Sequence, residues 1–112
     1  MANTFKSVTS GSIGTALTDV YTCPSSTTTI VLGASMSNTL TNPIGGSIKL
    51  AKNGTSAGED DVFVVKNAPV PAGSSIEVMA GNKVVMEASD KLQFQSDTAD
   101  SLDSIVSILE IT

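Results

Sequence analysis

Residues 27–41, TTTIVLGASMSNTLT, show the cleanest alternation of apolar and polar side chains in the chain. Successive side chains of a β-strand point to opposite faces, so this period of two predicts a strand with one face on a core and the other in water. The predicted inward row consists of Ile30, Leu32, Ala34, Met36 and Leu40. The Gly, Ser, Asn and Thr residues between them are poor helix formers. Because the stretch is longer than a typical strand, we expect a bend or bulge at Gly33 or Asn38.

The rest of the chain repeats this kind of run about eight or nine times, at the even spacing that is typical of a sandwich or small barrel. Of the 112 residues, 29 are Ser or Thr, which suit strand faces and turns better than helices. We therefore predict that residues 1–112 form one all-β domain, an antiparallel β-sandwich of jelly-roll or immunoglobulin-like type. Residues 4–9 are expected at a sheet edge. The predicted core consists of Ile30, Leu32, Met36, Ile48, Leu50, Leu92, Phe94, Ile105 and Leu109.

Two dipeptides give specific turn signals. Asn53-Gly54 predicts a turn, although with Thr55 it also matches a glycosylation acceptor. Gly81-Asn82 predicts a two-residue hairpin between residues 76–80 and 83–88.

The charged residues exclude several classes of function. The chain has 11 acidic residues and a net charge of −5, every basic residue is a lysine, and there is no histidine. Nucleic-acid binding needs concentrated Lys and Arg, so we expect no nucleic-acid partner. The first residues, MANTFKSVTS, lack the basic head and apolar run of a secretory signal, and no stretch approaches membrane-spanning length. The chain is therefore expected to be made in a cytoplasm and to have no membrane partner.

Catalytic and metal-binding groups are scarce. Without histidine there is no ordinary triad or imidazole ligand, and Cys23 has no evident base beside it. The acidic clusters at residues 59–61 and at Asp97, Asp100 and Asp103 lack the spacing of a calcium-binding loop, so we predict solvated charge there. We expect no enzyme activity, no cofactor and no metal.

Two runs are apolar on both faces, residues 62–65 and residues 105–111. In a small antiparallel sandwich, one face of each strand normally packs on the core and the other is exposed to water. The second apolar face of these two runs must therefore be buried by another part of the structure. Either loops of the same chain or a second subunit can bury this face, and we favour the contact between subunits. The predicted interface residues are Val62, Val64, Val106 and Ile108, in a homotrimer, although closed dimers are commoner among proteins in general.

The C-terminal half of the sequence resembles small virion structural proteins of tailed bacteriophages, particularly those that infect cyanobacteria and other marine bacteria. The motifs that carry the resemblance are Lys66-Asn67-Ala68-Pro69, Ala88-Ser89-Asp90 and Leu109-Glu110-Ile111. Ser89 stands where the family pattern has glycine. These motifs are structural turns and a chain end. The resemblance therefore implies no catalytic residue in this chain.

The resemblance implies a component of a virion. Its expected role is a capsid decoration or cement subunit, which binds copies of itself and other virion proteins such as the major capsid protein. The alternatives are a tail, neck or fibre component, or a module that binds a host-surface carbohydrate. Sugar binding would need exposed aromatic residues, and the chain has one Tyr, three Phe and no Trp.

Overall fold

The structure is a computed structural model that describes residues 2–52, 60–79 and 83–112. The described residues form nine β-strands in two antiparallel sheets. No helix among them is long and apolar enough to cross a membrane. The strands are β1 (Asn3–Ile13), β2 (Thr18–Thr22), β3 (Thr28–Asn38), β4 (Ile44–Ala51), β5 (Val62–Val70), β6 (Ser75–Glu77), β7 (Val84–Met86), β8 (Lys91–Ser96) and β9 (Leu102–Ile111). The predicted all-β sandwich is confirmed, and the turn expected at Asn53-Gly54 lies outside the described residues.

The strands pair in a nested order. Sheet A has the order β1-β9-β3-β6, with β7 also paired to β3, and sheet B has the order β2-β8-β4-β5. The first strand therefore pairs with the last, the second with the last but one, and β4 with β5 at the centre of the chain. This is the arrangement of a long hairpin rolled into two facing sheets, which is a jelly roll and not an immunoglobulin fold.

The core lies between the two sheets. Of the nine residues predicted to form it, Met36, Ile48, Leu92 and Phe94 are fully buried, and Leu50 is half-buried against them. Ile30, Leu32 and Leu109 are only half-buried, and Ile105 is exposed. The prediction is wrong for those four residues.

A bulge in β3 explains two of the four errors. The pairing of β3 with β9 shifts between Val31 and Gly33, so that Leu32 is the extra residue. One extra residue reverses the alternation, since the side-chain period of a strand is two. Val31 is consequently buried before the bulge, and Ala34 and Met36 are buried after it. The irregularity expected at Gly33 or Asn38 is confirmed at Gly33, whereas its effect on Ile30 and Leu32 was missed.

The hairpin predicted around Gly81-Asn82 is wrong. β6 and β7 do not pair with each other, because both pair with β3. β6 lies opposite Ser35–Ser37 and β7 opposite Thr29–Val31, so the two short strands form two halves of one edge, separated where β3 bulges. Gly81 and Asn82 themselves lie outside the described residues.

Candidate functional site

The four residues predicted to form an interface lie in different environments. Val106 and Ile108 point into the core and have 0% exposure. A side chain with no exposed surface cannot contact a partner, so the prediction is wrong for these two. Val62 is 51% exposed at the start of the edge strand β5, and Val64 is half-buried against the core. Val62 and Val64 remain candidates for a contact.

The inward face of β9 contains two polar residues, which explains the error. Ser104 and Glu110 are both buried between the sheets. The Ser104 hydroxyl donates to the carbonyl of Ser10, and the Glu110 carboxylate accepts a hydrogen bond of 2.6 Å from the Tyr21 hydroxyl. Buried polar groups with hydrogen-bond partners carry little penalty. The inward face can therefore include them, and Ile105 and Leu109 point outward.

The outward face of sheet A carries a row of apolar side chains. Phe5 lies opposite Leu109, Leu109 opposite Ile30, and Ile30 opposite Val85. Directly opposite residues of an antiparallel pair point to the same face. Phe5 at one end of the row is 73% exposed and Val85 at the other end is 55% exposed. The row therefore crosses sheet A from β1 to β7 on the side away from the core.

Two further residues of β9 extend this row along the strand. Ile105 is 50% exposed and Ile111 is half-buried, and both share the outward face with Leu109. We define the outer apolar face as Phe5, Ile30, Val85, Ile105, Leu109 and Ile111. At the spacing of strands and of residues along them, it covers about 300 Å². Ser7 and Ser107 lie within it, and they add hydroxyl groups without charge.

The outward face of sheet B is different. Asp19, Gln93, Lys49 and Phe63 lie in one row across it. The Gln93 amide donates to Asp19 at 2.7 Å, and the ammonium groups of Lys49 and Lys66 lie 5.5 and 4.5 Å from the centre of the Phe63 ring. Polar groups on this face thus pair with each other, and cations cover its aromatic ring. Sheet A alone presents uncovered apolar surface of this extent among the described strands.

Sequence reasoning missed this face for a physical reason. Ile105 and Leu109 were expected in the core, and Phe5 and Val85 belong to strands that are distant in sequence. Only the register of β1, β9, β3 and β7 brings the row together. The useful signal in the sequence was the two-faced apolar pattern of residues 105–111, which correctly indicated that β9 has a second apolar face.

Acidic residues of the two clusters accept separate hydrogen bonds in the part of the chain that the structure describes. No group of three His, Cys, Asp or Glu side chains converges there. Asp103 accepts a hydrogen bond from the backbone of Ser12, and Asp61 accepts one from the backbone of Lys52. A hydrogen bond with the backbone of Gly45, together with one that the Thr98 hydroxyl donates to the Asp97 carboxylate, lowers the pKa of Asp97. Glu59 lies outside the described residues.

A buried polar network joins the two sheets in the core, on the opposite side of sheet A from the outer apolar face. The Tyr21 hydroxyl on β2 contacts Glu110 on β9 and the Thr29 hydroxyl on β3, at 2.6 and 2.8 Å. The Lys6 ammonium lies 2.9 Å from the other Glu110 oxygen. The hydrogen bond from Tyr21 and the contact with Lys6 lower the pKa of Glu110, which is ionised at neutral pH. Cys23 lies in the same region, where burial raises the pKa of its thiol, so the cysteine is a poor nucleophile.

Comparison with known proteins identifies the fold. No protein-family model and no curated protein matches the chain. A chain in the crystal structure of the T13 IBDV viral particle matches with a TM-score of 0.60 and 10% identity over 96% of this chain, which spans 30% of that chain. A chain of the Bacillus endospore appendages, a family of disulfide-linked pili, matches with a TM-score of 0.55 and 11% identity, over 98% of this chain and 88% of that one. At these identities the likeness shows a shared fold.

Proposed function

We propose that this chain is a non-enzymatic structural protein of a bacteriophage virion, and that it is a decoration or cement subunit on the capsid. The outer apolar face is the observation that carries the proposal, because an isolated subunit leaves it in water. Contiguous exposed apolar patches often mark sites of association. The resemblance of the C-terminal half to tailed-phage virion proteins supports the assignment to a phage particle. The jelly roll supports it too, since viral capsid domains use this fold.

The proposed partner of the outer apolar face is another virion protein, such as the major capsid protein. A stable protein–protein contact buries about 800 Å² on each side, so the face of about 300 Å² would be its centre and the surrounding hydroxyl-rich surface its rim. A shell offers many equivalent sites, and linked contacts of modest strength on such a surface add up to tight attachment. A cement subunit would work in this way.

Electron microscopy of virions that lack the gene tests the proposal. We expect knobs to be missing from the shell and the particles to break at lower temperature, because contacts between neighbouring capsid proteins are lost. Adding the purified chain should restore both properties. Loss of a tail ring, a neck structure or fibres in place of shell knobs would contradict the decoration role and favour the corresponding alternative.

A pair of variants tests which surface makes the contact. Val85→Ser combined with Ile105→Ser makes the outer apolar face polar at two side chains that are at least half exposed, so the fold should tolerate both changes. We expect this double variant to lose binding to gene-deleted particles in a sedimentation assay. Val62→Ser is the matched control, because Val62 is equally exposed but lies on sheet B. Binding that is lost only in Val62→Ser would place the contact at the originally predicted residues Val62 and Val64.

A further inference from the structure

β1 forms one edge of sheet A. β1 pairs with β9 on one side and with no described strand on the other. Ala2 and Thr112 exchange both of their backbone hydrogen bonds, at 3.1 and 3.0 Å. Hydrogen-bonded pairs alternate with non-hydrogen-bonded ones along an antiparallel ladder, so the even-numbered residues of β1 bond to β9. The N–H and C=O groups of Asn3, Phe5, Ser7 and Thr9 therefore point to the free edge.

The other edges of the described sheets are protected against pairing. β6 and β7 have three residues each, and β2 has five and contains a bulge. β5 contains Lys66, Pro69 and two register shifts. Short length, charge, proline and bulges are the features by which natural proteins prevent strands from joining at sheet edges. β1 has 11 residues, no proline and no register shift before Ser10.

Lys6 is the one charged residue of β1, and it does not protect this edge. Its ammonium lies 2.9 Å from Glu110 of the same chain, so its charge is neutralised locally. The edge adjoins the outer apolar face at Phe5, which is the most exposed large apolar side chain among the described residues. An unprotected edge beside an exposed aromatic residue is suited to binding a strand.

We propose that the free edge of β1 binds β1 of a second copy of this chain, in an antiparallel pair around a two-fold axis at Ser7. A strand that pairs antiparallel with its own copy uses the same groups on both sides, so the contact is self-complementary and closes at two copies. With Ser7 opposite itself, residues 3–11 of both copies overlap. Lys6 then faces Val8 of the second copy and not another lysine, and Phe5 lies beside Thr9 of the second copy.

This pairing makes one sheet from both copies and continues the outer apolar face across the junction. Thr9 is the neighbour of Ile105 on β9, so Phe5 of one copy comes close to Ile105 of the other. The contact is small, and small interfaces are generally weak. We therefore expect a dimer that dissociates on dilution, in place of the homotrimer predicted from the sequence. The inference does not depend on which particle carries the protein.

A proline at Ser7 tests the pairing. The Ser7 N–H points to the free edge, so Ser7→Pro removes a donor for the second copy without removing a bond to β9, and proline is tolerated at such edge positions. Ser7→Thr is the matched control, since it keeps the N–H and favours a strand. In sedimentation velocity over a concentration series, we expect wild type and Ser7→Thr to form dimers and Ser7→Pro to stay monomeric, with unchanged circular dichroism.

A second variant covers the case in which Ser7→Pro fails to fold. Phe5→Lys places a charge beside the free edge, at a side chain that makes little contact with the rest of the chain, and should raise the dimer dissociation constant about tenfold or more. Hydrogen exchange gives an independent readout. The amides of Phe5, Ser7 and Thr9 should gain protection at high concentration, whereas those of Lys6 and Val8 should be protected at every concentration.

Three results would overturn the inference: a wild type that is monomeric at millimolar concentration, a trimer, or a dimer that neither Ser7→Pro nor Phe5→Lys weakens. The proposed role on the capsid is tested separately by the electron microscopy of virions that lack the gene, because that measurement does not require β1 to pair with a second copy. A virion that loses its knobs without the gene, together with a monomeric wild type, would refute the pairing and leave the decoration role intact.

Discussion

Glu77 shows how a single side chain can complete an irregular sheet. Its carboxylate accepts backbone hydrogen bonds from Ala34 at 2.8 Å and Met79 at 3.2 Å, and one from the Ser35 hydroxyl at 3.0 Å. These donors lie beside the bulge in β3 and just after β6, where the backbone ladder between the two strands is interrupted. Burial acts to raise the pKa of Glu77, but these hydrogen bonds outweigh it and lower the pKa below its ordinary value.

We predict that Glu77→Gln lowers the free energy of unfolding at pH 7 by about 1 kcal/mol, because the backbone donors lose an ionised acceptor that is partly screened by water. Ser35→Ala removes one donor and leaves both backbone bonds, so it should have a smaller effect. A lowered folded-state pKa stabilises the protein above the unfolded-state value, and this stabilisation disappears as the pH falls through the folded-state pKa. Urea unfolding from pH 7 to pH 3 should therefore show the two proteins converging in acid; a constant difference would contradict the role of the charge.

Ser89 adopts a backbone conformation that favours glycine. Its φ is 74°, in a turn closed by a 3.0 Å hydrogen bond from the Asp90 N–H to the Glu87 carbonyl. The glycine that the resemblance leads one to expect at this position would fit this geometry. We predict that Ser89→Gly raises the free energy of unfolding by about 0.5–1 kcal/mol, because glycine occupies the left-handed region without steric penalty. Ser89→Ala keeps the Cβ atom and should give no gain in a thermal melt.

At the level of strands, the sequence predicted the existence of the elements better than their orientation. β3 and β8 were found from their alternation and β9 from its apolar run, and β1 was correctly placed at an edge. The orientation of β9 could not be predicted, because both of its faces are apolar and the choice depends on partners for Ser104 and Glu110 from other strands. The N-terminal half of β3 was assigned to the wrong face because the predicted inward row was not reversed at the bulge expected near Gly33.

The bulge leads us to expect different effects on stability when two adjacent residues of β3 are replaced by alanine. Val31 is fully buried and Leu32 is half-buried at the bulge. Val31→Ala should lower the free energy of unfolding by about 2 kcal/mol, through lost burial and a cavity, whereas Leu32→Ala should cost about 1 kcal/mol or less despite removing more atoms. Chemical denaturation of both variants measures the difference. A larger loss for Leu32→Ala would mean that the uninterrupted alternation expected from the sequence is correct.

For the whole molecule, the contact between Tyr21 and Glu110 ties sheet B to sheet A through the core. We predict that Tyr21→Phe lowers the free energy of unfolding by about 1–3 kcal/mol at neutral pH, since a buried carboxylate loses a donor. Lys6→Met removes the more exposed contact to the same carboxylate and should cost less. Nuclear magnetic resonance titration should show the pKa of Glu110 rising in Tyr21→Phe. An unchanged pKa would contradict the dominant role of the Tyr21 hydroxyl.

The fold class followed from periodicity and composition, while the order of the strands did not. Alternation and turn residues are local properties, and they sufficed to predict a sandwich. The jelly roll is distinguished from the immunoglobulin fold by which strands pair, and those pairs join distant residues such as Phe5 and Leu109. The outer apolar face depends on the same distant pairs. The sequence therefore predicted its part on β9 but not the residues that β1, β3 and β7 add to it.

The central position of β9 in sheet A has a consequence for how the chain acquires its structure. The strand that both β1 and β3 need as a neighbour is synthesised long after both of them. Contacts between residues far apart in sequence make folding slow, on the order of milliseconds to seconds for all-β domains. Until β9 leaves the ribosome, β1 and β3 each expose an unpaired edge, and such edges are prone to aggregation. Emergence of β9 is therefore the step that commits sheet A to its native pairing.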